Sequence, residues 1–285
     1  MRIAIFGAGG LVGSHAARFF RARGHTAITI GRGGAMDILA DAADPAAVRA
    51  ALGKARPDAV LNAVKSSMKT DLAETRKGDA WLSNVAAAEN IAAASGKLGA
   101  KLVHISSAWV YEGRDGETYS EGSITCPVNF YAYTKAISEE RALRHAPDAL
   151  VLRPDCVFGK DPRGADFFSR LKAASEKGGE FPAADGQFSQ PIFAGEIARL
   201  SEALLASGAS GIYNCVGPDY LSRHALALRM CSHFGFDPSI VADAPGAARK
   251  IRVPSFLRLD ISKISSICKV RGIGEQLSDL EKEAV

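Results

Sequence analysis

Residues 2–24, "RIAIFGAGGLVGSHAARFFRARG", decide how this chain folds. "RIAIF" is a continuous apolar run of the kind found in strands buried on both faces, and "LVGSHAARFFRARG" carries a helical pattern that Gly24 stops. Between them Gly7, Gly10 and Gly13 stand in G-x-x-G-x-x-G spacing. Glycine at such a turn lets the backbone reverse sharply and approach a pyrophosphate, whose charge is met by the amides and dipole of the helix N-terminus. A glycine cluster alone is a weak signal, but directly after the first strand of a strand-helix series it is a strong one. Gly7, Gly10, Leu11, Val12 and Gly13 are therefore expected to hold a dinucleotide.

The same rhythm runs outward from this stretch. "HTAITI" is strand-like, "DPAAVRAALGKA" helical, "PDAVLNAV" a strand, residues 79–98 one long Ala-rich helix, and "KLVHISS" a strand. A helix over "NFYAYTKAISEE" (129–140) and a strand in "DALVLRPDCVFG" that runs into a loop at Pro154 continue the series. Strands and helices alternating in this way imply right-handed βαβ units, hence an α/β fold with a doubly wound parallel (Rossmann) sheet. Past residue 158 the regularity weakens, with one helix between Gly- and Pro-rich segments; it resumes with a helix near 194–207 and a strand at "GIYNCVG" before a helical tail. The chain is expected to divide discontinuously. Residues 1–157 plus about 191–218 form the dinucleotide-binding domain, and 158–190 plus 219–285 form a smaller, mixed substrate lobe.

Composition narrows the class. The 285 residues can bury a full core, and 47% hydrophobic with 23% charged residues is ordinary for a soluble globular protein. A net charge of +4 is spread along the chain without interleaved aromatics, which argues against a nucleic-acid partner. No run of roughly 18 apolar residues exists, and the apolar N-terminal stretch is too short and glycine-broken for a signal or membrane helix. A cytoplasmic protein with no membrane partner is expected. Five cysteines without a CxxC and six scattered histidines, none paired at i, i+4, predict neither a disulfide framework nor a metal.

The end of the second strand bears on the cofactor. "ITIGRGG" offers Arg32 and no acid, which favours the 2′-phosphate of NADP, with NAD as the alternative. Within 129–140, Tyr131 and Lys135 lie four apart and share a helix face, while Tyr133 lies on another. A phenol is a poor acid-base group at neutral pH, and a neighbouring ammonium is expected to lower its pKa. Ser106 and Ser107 end a strand where doubly wound sheets bind ligands, and strand alternation allows only one of them to face the site.

The glycine loop, "HISSAWVY", "YAYTK" and "VLRPDCVFG", in this order, resemble the extended short-chain dehydrogenase/reductases. "MDILADAADPAAV", "RPDAVLNAV", "DGQFSQPIFAGEIARL" and "LRLDISKI" resemble more narrowly the dTDP-4-dehydrorhamnose reductase branch, and the likeness spans nearly the whole chain. The resemblance implies that Ser107 hydrogen-bonds the substrate oxygen, Tyr131 moves its proton, and Lys135 tunes Tyr131 and holds the nicotinamide ribose. It places Asp37 and Ile38 by the adenine, Ala63, Val64 and Lys65 along the cofactor, and Pro154 to Val157 beside the nicotinamide, with Ala108, Trp109, Cys156 and Gln190 toward the substrate. Two departures stand out. The branch carries Ser-Thr-Asp where this chain has Ser107, Ala108 and Trp109, a pattern more like the sugar-nucleotide epimerases, and Lys65 replaces a small residue.

The activity implied is NADP-dependent reduction of a sugar-nucleotide ketone. The alternatives are an epimerase that retains its cofactor and a non-catalytic dinucleotide-binding regulatory subunit; a 4,6-dehydratase is disfavoured because Ala108 and Trp109 supply no acid-base pair. Arg163, with Arg170 and Lys172, lies in the lobe expected to cover the substrate, and Arg163 is the candidate for its diphosphate. His104 is expected in the core. Trp109 either stacks on the substrate ring or fills the core. The oligomeric state is left open, a homodimer being admissible.

Overall fold

The computed structural model describes residues 1–65, 68, 70–244 and 251–283. The chain runs β1 (Arg2–Phe6), α1 (Leu11–Ala22), β2 (Thr26–Gly31), β3 (Ile38–Leu39), α2 (Pro45–Ala55), β4 (Ala59–Asn62), α3 (Lys77–Trp81), α4 (Ala87–Leu98), β5 (Lys101–Ile105), α5 (Phe130–His145) and β6 (Leu150–Arg153). Shorter pieces follow: β7 (Val157–Phe158), α6 (Phe167–Lys177), β8 (Phe181–Ala183), β9 (Phe188–Ser189), β10 (Ile192–Phe193), α7 (Ala194–Ala206), β11 (Gly211–Asn214), β12 (Leu221–Ser222), α8 (Arg223–Phe234), β13 (Val241–Asp243), α9 (Ser262–Ser265) and α10 (Ile273–Lys282).

Seven strands form one sheet in the order β11-β6-β5-β4-β1-β2-β3, every neighbouring pair parallel. Alternate residues of β1 show why both faces must be covered. Ile3 and Ile5 pack with Phe20 of α1 and Ile197, Leu200 and Leu204 of α7, while Ala4 and Phe6 pack with Val48 and Leu52 of α2 and Ile91 of α4. This is the doubly wound α/β arrangement read from the sequence. The strand order reverses between β1 and β4, which end level with Phe6 opposite Asn62, and a sheet of this kind opens its ligand crevice there.

Local signals set the helix boundaries. Asp44 caps α2, accepting from Ala46 N at 2.8 Å just before Pro45, and Asn129 caps α5, accepting from Ala132 N at 2.8 Å. Residues 79–98 are not one regular helix, however. A π-helical turn, Leu82–Ala86, separates α3 from α4, and the buried Asn84 in that turn donates from Nδ2 to Thr134 Oγ1 of α5 at 2.9 Å.

A separate apolar cluster gathers Phe158, Phe167 and Leu171 with Leu226 and Met230 of α8 and Ile273, Leu277 and Leu280 of α10. Among the described residues all five cysteines are free, no group of three or more metal-ligating side chains is assembled, and no helix is long and apolar enough to cross a membrane.

Candidate active site

The glycine loop closes the crevice at its floor. Gly7 has φ +78°, and a Cβ there would lie 2.6 Å from the Ala63 carbonyl oxygen at the end of β4, so both the conformation and the approach of β1 to β4 require glycine. A Cβ on Gly13 would strike the Gly7 carbonyl. Gly10 N donates to Gly7 O at 3.0 Å, and Gly10 caps α1 without a side chain, leaving the helix N-terminus open above the crevice. Gly9 is exposed and a Cβ there would meet only Met36 within 4 Å, so of this cluster Gly7 and Gly13 are the positions where the backbone demands glycine. Leu11, Val12, Ala63 and Val64 are half-buried around this floor.

Arg32 is exposed just past β2 and has no hydrogen-bond or ion-pair partner among the described residues. Asp37 is committed elsewhere. Its Oδ2 accepts from Thr29 N at 2.8 Å and Thr29 Oγ1 at 2.7 Å and pairs with Arg21 at 3.2 Å. The bond from the Thr29 backbone, before the others, holds the carboxyl below its ordinary pKa. Through Oδ2 its side chain thus pins the connection from β2 to the half-buried Ile38.

Lys65 is open to solvent yet crowded by protein, and that crowding, with the charge of Arg163, lowers the pKa of its ammonium. Arg163 reaches back to the glycine loop: a Cβ on Gly10 would sit 3.6 Å from its Nη2, and Asp161 Oδ1 at 3.3 Å orients the guanidinium. Arg170 is drawn off to the Phe181 ring, 5.4 Å from its centroid, and Lys172 pairs with Glu176.

At the end of β5 the two serines part. Ser106 Oγ donates to Glu139 Oε1 at 2.5 Å, and Glu139 is held bidentately by Arg153 at 2.9 and 2.6 Å in the core. Ser107 caps the short turn that follows, accepting from Trp109 N at 3.2 Å, and its hydroxyl faces the phenol of Tyr131, whose pKa it lowers. The pleat therefore leaves Ser107 to the site. Ala108 is fully buried, with its N–H on Pro154 O at 2.8 Å, and so offers no surface to a substrate.

Tyr131 and Lys135 do share a face of α5, but the ammonium does not act on the phenol as the spacing predicts. Lys135 Nζ donates to Ile105 O at 2.6 Å, and burial lowers its pKa to about 8 against the opposing charge of Glu139. Enclosure of the Tyr131 phenol raises its pKa to about 12, only partly offset by Ser107, and Asp155 adds to the rise.

His104 lies in the core, as expected, with every polar atom used. Asn62 Nδ2 donates to His104 Nδ1 at 3.0 Å, His104 Nε2 to Ser138 Oγ at 2.9 Å, and Ser138 Oγ to Lys135 O at 2.7 Å; this network assigns the tautomer. Asn62 Oδ1 in turn accepts from Val64 N at 3.0 Å. Burial, then the charge of Lys135, pushes the His104 pKa well down, so the ring is neutral.

Trp109 stands edge-on to Tyr131, ring centroids 5.8 Å apart, and hydrogen-bonds Asp155. Val157 and Cys156 are half-buried beside it, Cys156 with φ +39° and its thiol pKa raised by burial. Gln190 is buried with both ends of its amide committed to backbone: Nε2 donates to Gly217 O at 3.0 Å and Oε1 accepts from Leu259 N at 2.5 Å. It forms wall, together with Ser120 and Arg258, of an open pocket of about 470 Å³.

One residue of this region escapes sequence reasoning: Asn84 lines the same small cleft as Tyr131 and Lys65, brought there by the π-turn, which leaves no periodic signature in an Ala-rich segment. Asp155, within the Pro154 to Val157 stretch that the resemblance sets beside the nicotinamide, is a buried carboxyl just past β6.

A family model described as RmlD substrate binding domain matches residues 1–280. A dTDP-4-keto-6-deoxy-D-glucose reductase of Streptomyces niveus is 26% identical over 242 residues, 85% of this chain and 81% of that protein. A dTDP-4-dehydrorhamnose reductase of Burkholderia thailandensis is 30% identical over 260 residues, 87% of this chain and 81% of that protein. Among solved structures, dTDP-4-dehydrorhamnose reductase from Bacillus anthracis in complex with NADP superposes with a TM-score of 0.90 at 20% identity, 99% of each chain being covered.

Proposed function

The chain belongs to the RmlD substrate binding domain family, and from that premise we propose that it is an NADP-dependent oxidoreductase that reduces the ketone of a 4-keto sugar nucleotide. The residues present fit the dinucleotide: Gly7 and Gly13 keep the crevice floor clear where a Cβ would collide with backbone, and the exposed Arg32, unpaired among the described residues, suits a 2′-phosphate. NADPH, when bound, supplies the hydride. The open N-terminus of α1 holds its pyrophosphate, with Arg163 and Lys65 adding positive charge above the glycine loop. Lys135 holds the nicotinamide ribose.

Ser107 polarises the ketone by donating to its oxygen, and Tyr131 gives that oxygen its proton as the alkoxide forms. The observation that carries this reading is the contact of Ser107 with Tyr131 at the C-terminal edge of the sheet, while the adjacent Ser106 is consumed in the core. An epimerase retaining NAD would call for an acid directly at the end of β2; Arg32 stands there instead, and Asp37, the nearest acid, turns its Oδ2 to Thr29, which supports the reductase. Intact Ser107, Tyr131 and Lys135 support an enzyme over a regulatory subunit.

The test is to mix purified protein with NADPH and a panel of 4-keto sugar nucleotides and follow both cofactor and sugar. One NADPH oxidised per ketone reduced is the expected result, and Tyr131→Phe should lose roughly 10²–10⁴-fold in kcat while binding NADPH normally. Isomerisation without net oxidation would mean an epimerase, and binding without turnover a regulator.

A further inference from the structure

Past β6 the chain turns through Pro154, Asp155 and Cys156, and the left-handed Cys156, φ +39°, sends Asp155 inward until only 3% of it is exposed. Against burial, its charge is favoured by Arg223 at the start of α8, then by the nearby N–H groups of Cys156, Gln190 and the Trp109 indole. Its Oδ2 nevertheless has no hydrogen-bond partner among the described residues. Five buried side-chain polar atoms are in that condition among the described residues, and two of the others, Ser189 Oγ and Arg223 Nε, belong to residues that border the same turn. The Cys156 thiol is Ser189's neighbour there, and a thiol is a weak hydrogen-bonding group.

A buried acceptor without a donor is costly, and here an unpartnered carboxylate oxygen shares the neighbourhood of Cys156 with an unpartnered hydroxyl and an unpartnered guanidinium N–H, complementary groups that a polar ligand could satisfy. The cluster also borders the site. Tyr131 feels the charge of Asp155, as does Tyr220, and Trp109 bridges Asp155 to the Tyr131 ring. A carboxylate, a hydroxyl and a guanidinium together match the donors and acceptors of neighbouring hydroxyls on a sugar ring.

We propose that Asp155, flanked by Ser189 and Arg223, is a specificity-determining residue: its free carboxylate oxygen accepts a hydrogen bond from a ring hydroxyl of the sugar whose ketone is presented to Tyr131. The proposal rests on the ketoreductase reading above. It predicts that this chain distinguishes sugars by a hydroxyl, and that the discrimination lies in the turn after β6 and not at the serines after β5.

The experiment compares wild type, Asp155→Asn and Asp155→Ala on a 4-keto sugar nucleotide and on analogues that each lack one ring hydroxyl. Wild type should lose roughly tenfold or more in kcat/KM on one analogue, while Asp155→Ala handles that analogue and the parent alike, its loss appearing mainly in KM. Asp155→Asn, the isostere, guards against misfolding and should blunt the same preference, with NADPH affinity unchanged in both variants. If the variants rank the analogues as wild type does, or lose equally on all of them, the proposal is overturned while the reductase reading stands. If wild type binds NADPH yet reduces no 4-keto sugar nucleotide, the reductase reading falls and takes this proposal with it.

Discussion

A phenol raised to about 12 is fully protonated at neutral pH, which is the state required of a group that hands its proton to a ketone oxygen. Asp155 is in the opposite position: burial lifts it from 3.8 to about 6, so near neutrality the fold carries a charge it would prefer to neutralise. A carboxyl whose folded pKa is raised stabilises the fold below its unfolded pKa, and that contribution is lost as pH rises through about 6. Asp155→Asn should therefore be more stable than wild type by up to about 3 kcal/mol at pH 8, the gap shrinking by about half at pH 5, as read from denaturant midpoints. A variant at once more stable and less selective would fit a group kept for function. At this scale the sequence spoke unevenly. Alternation correctly allowed one serine, but whether it was Ser106 or Ser107 depended on Glu139 and Arg153, which lie far off in the chain. Asp37 and Gln190 carry the right chemistry for ligands and spend it on backbone and Thr29, a choice only packing reveals.

Among elements, the tie between β5, β6 and α5 is the Ser106-Glu139-Arg153 cluster, extended by Arg153 Nη1 donating to Tyr111 OH at 2.5 Å. Arg153 is 3% exposed, so Arg153→Met would leave Glu139 charged and unpaired in the core; a loss of roughly 3–5 kcal/mol in unfolding free energy is expected, with kcat falling because Ser107 follows Ser106 on the same strand. At the end of β2, Arg32→Ala should reduce the preference for NADPH over NADH by roughly tenfold or more, seen in the ratio of the two kcat/KM values, without changing kcat at saturating NADPH. The alternating elements were legible because a parallel sheet covered on both faces demands unbroken apolar strands and periodic helices. The π-turn was not, since one extra residue in "WLSNVAAAENIAAA" leaves its composition and apolar face unchanged.

For the molecule as a whole, the cluster around Phe167, Leu226 and Leu277 grows beside the sheet and not within it, built from short strands and helices that no periodic rule joins. Its link to the sheet runs through Glu196 of α7, fully buried and paired with both Arg199 and Arg271, and through α10 beyond. The crevice is linked across its width in another way, by the line from Val64 N through Asn62, His104 and Ser138 to the Lys135 carbonyl. That line spans β4, β5 and α5 with neutral groups, so acid and salt have little hold on it. Its consequence is measurable in deuterium uptake. The Val64 amide, though it sits in a loop, should exchange slowly with heavy water, and Ser138→Ala, by freeing the imidazole at the far end of the line, should speed that exchange while leaving Asn62 and Val64 themselves unaltered.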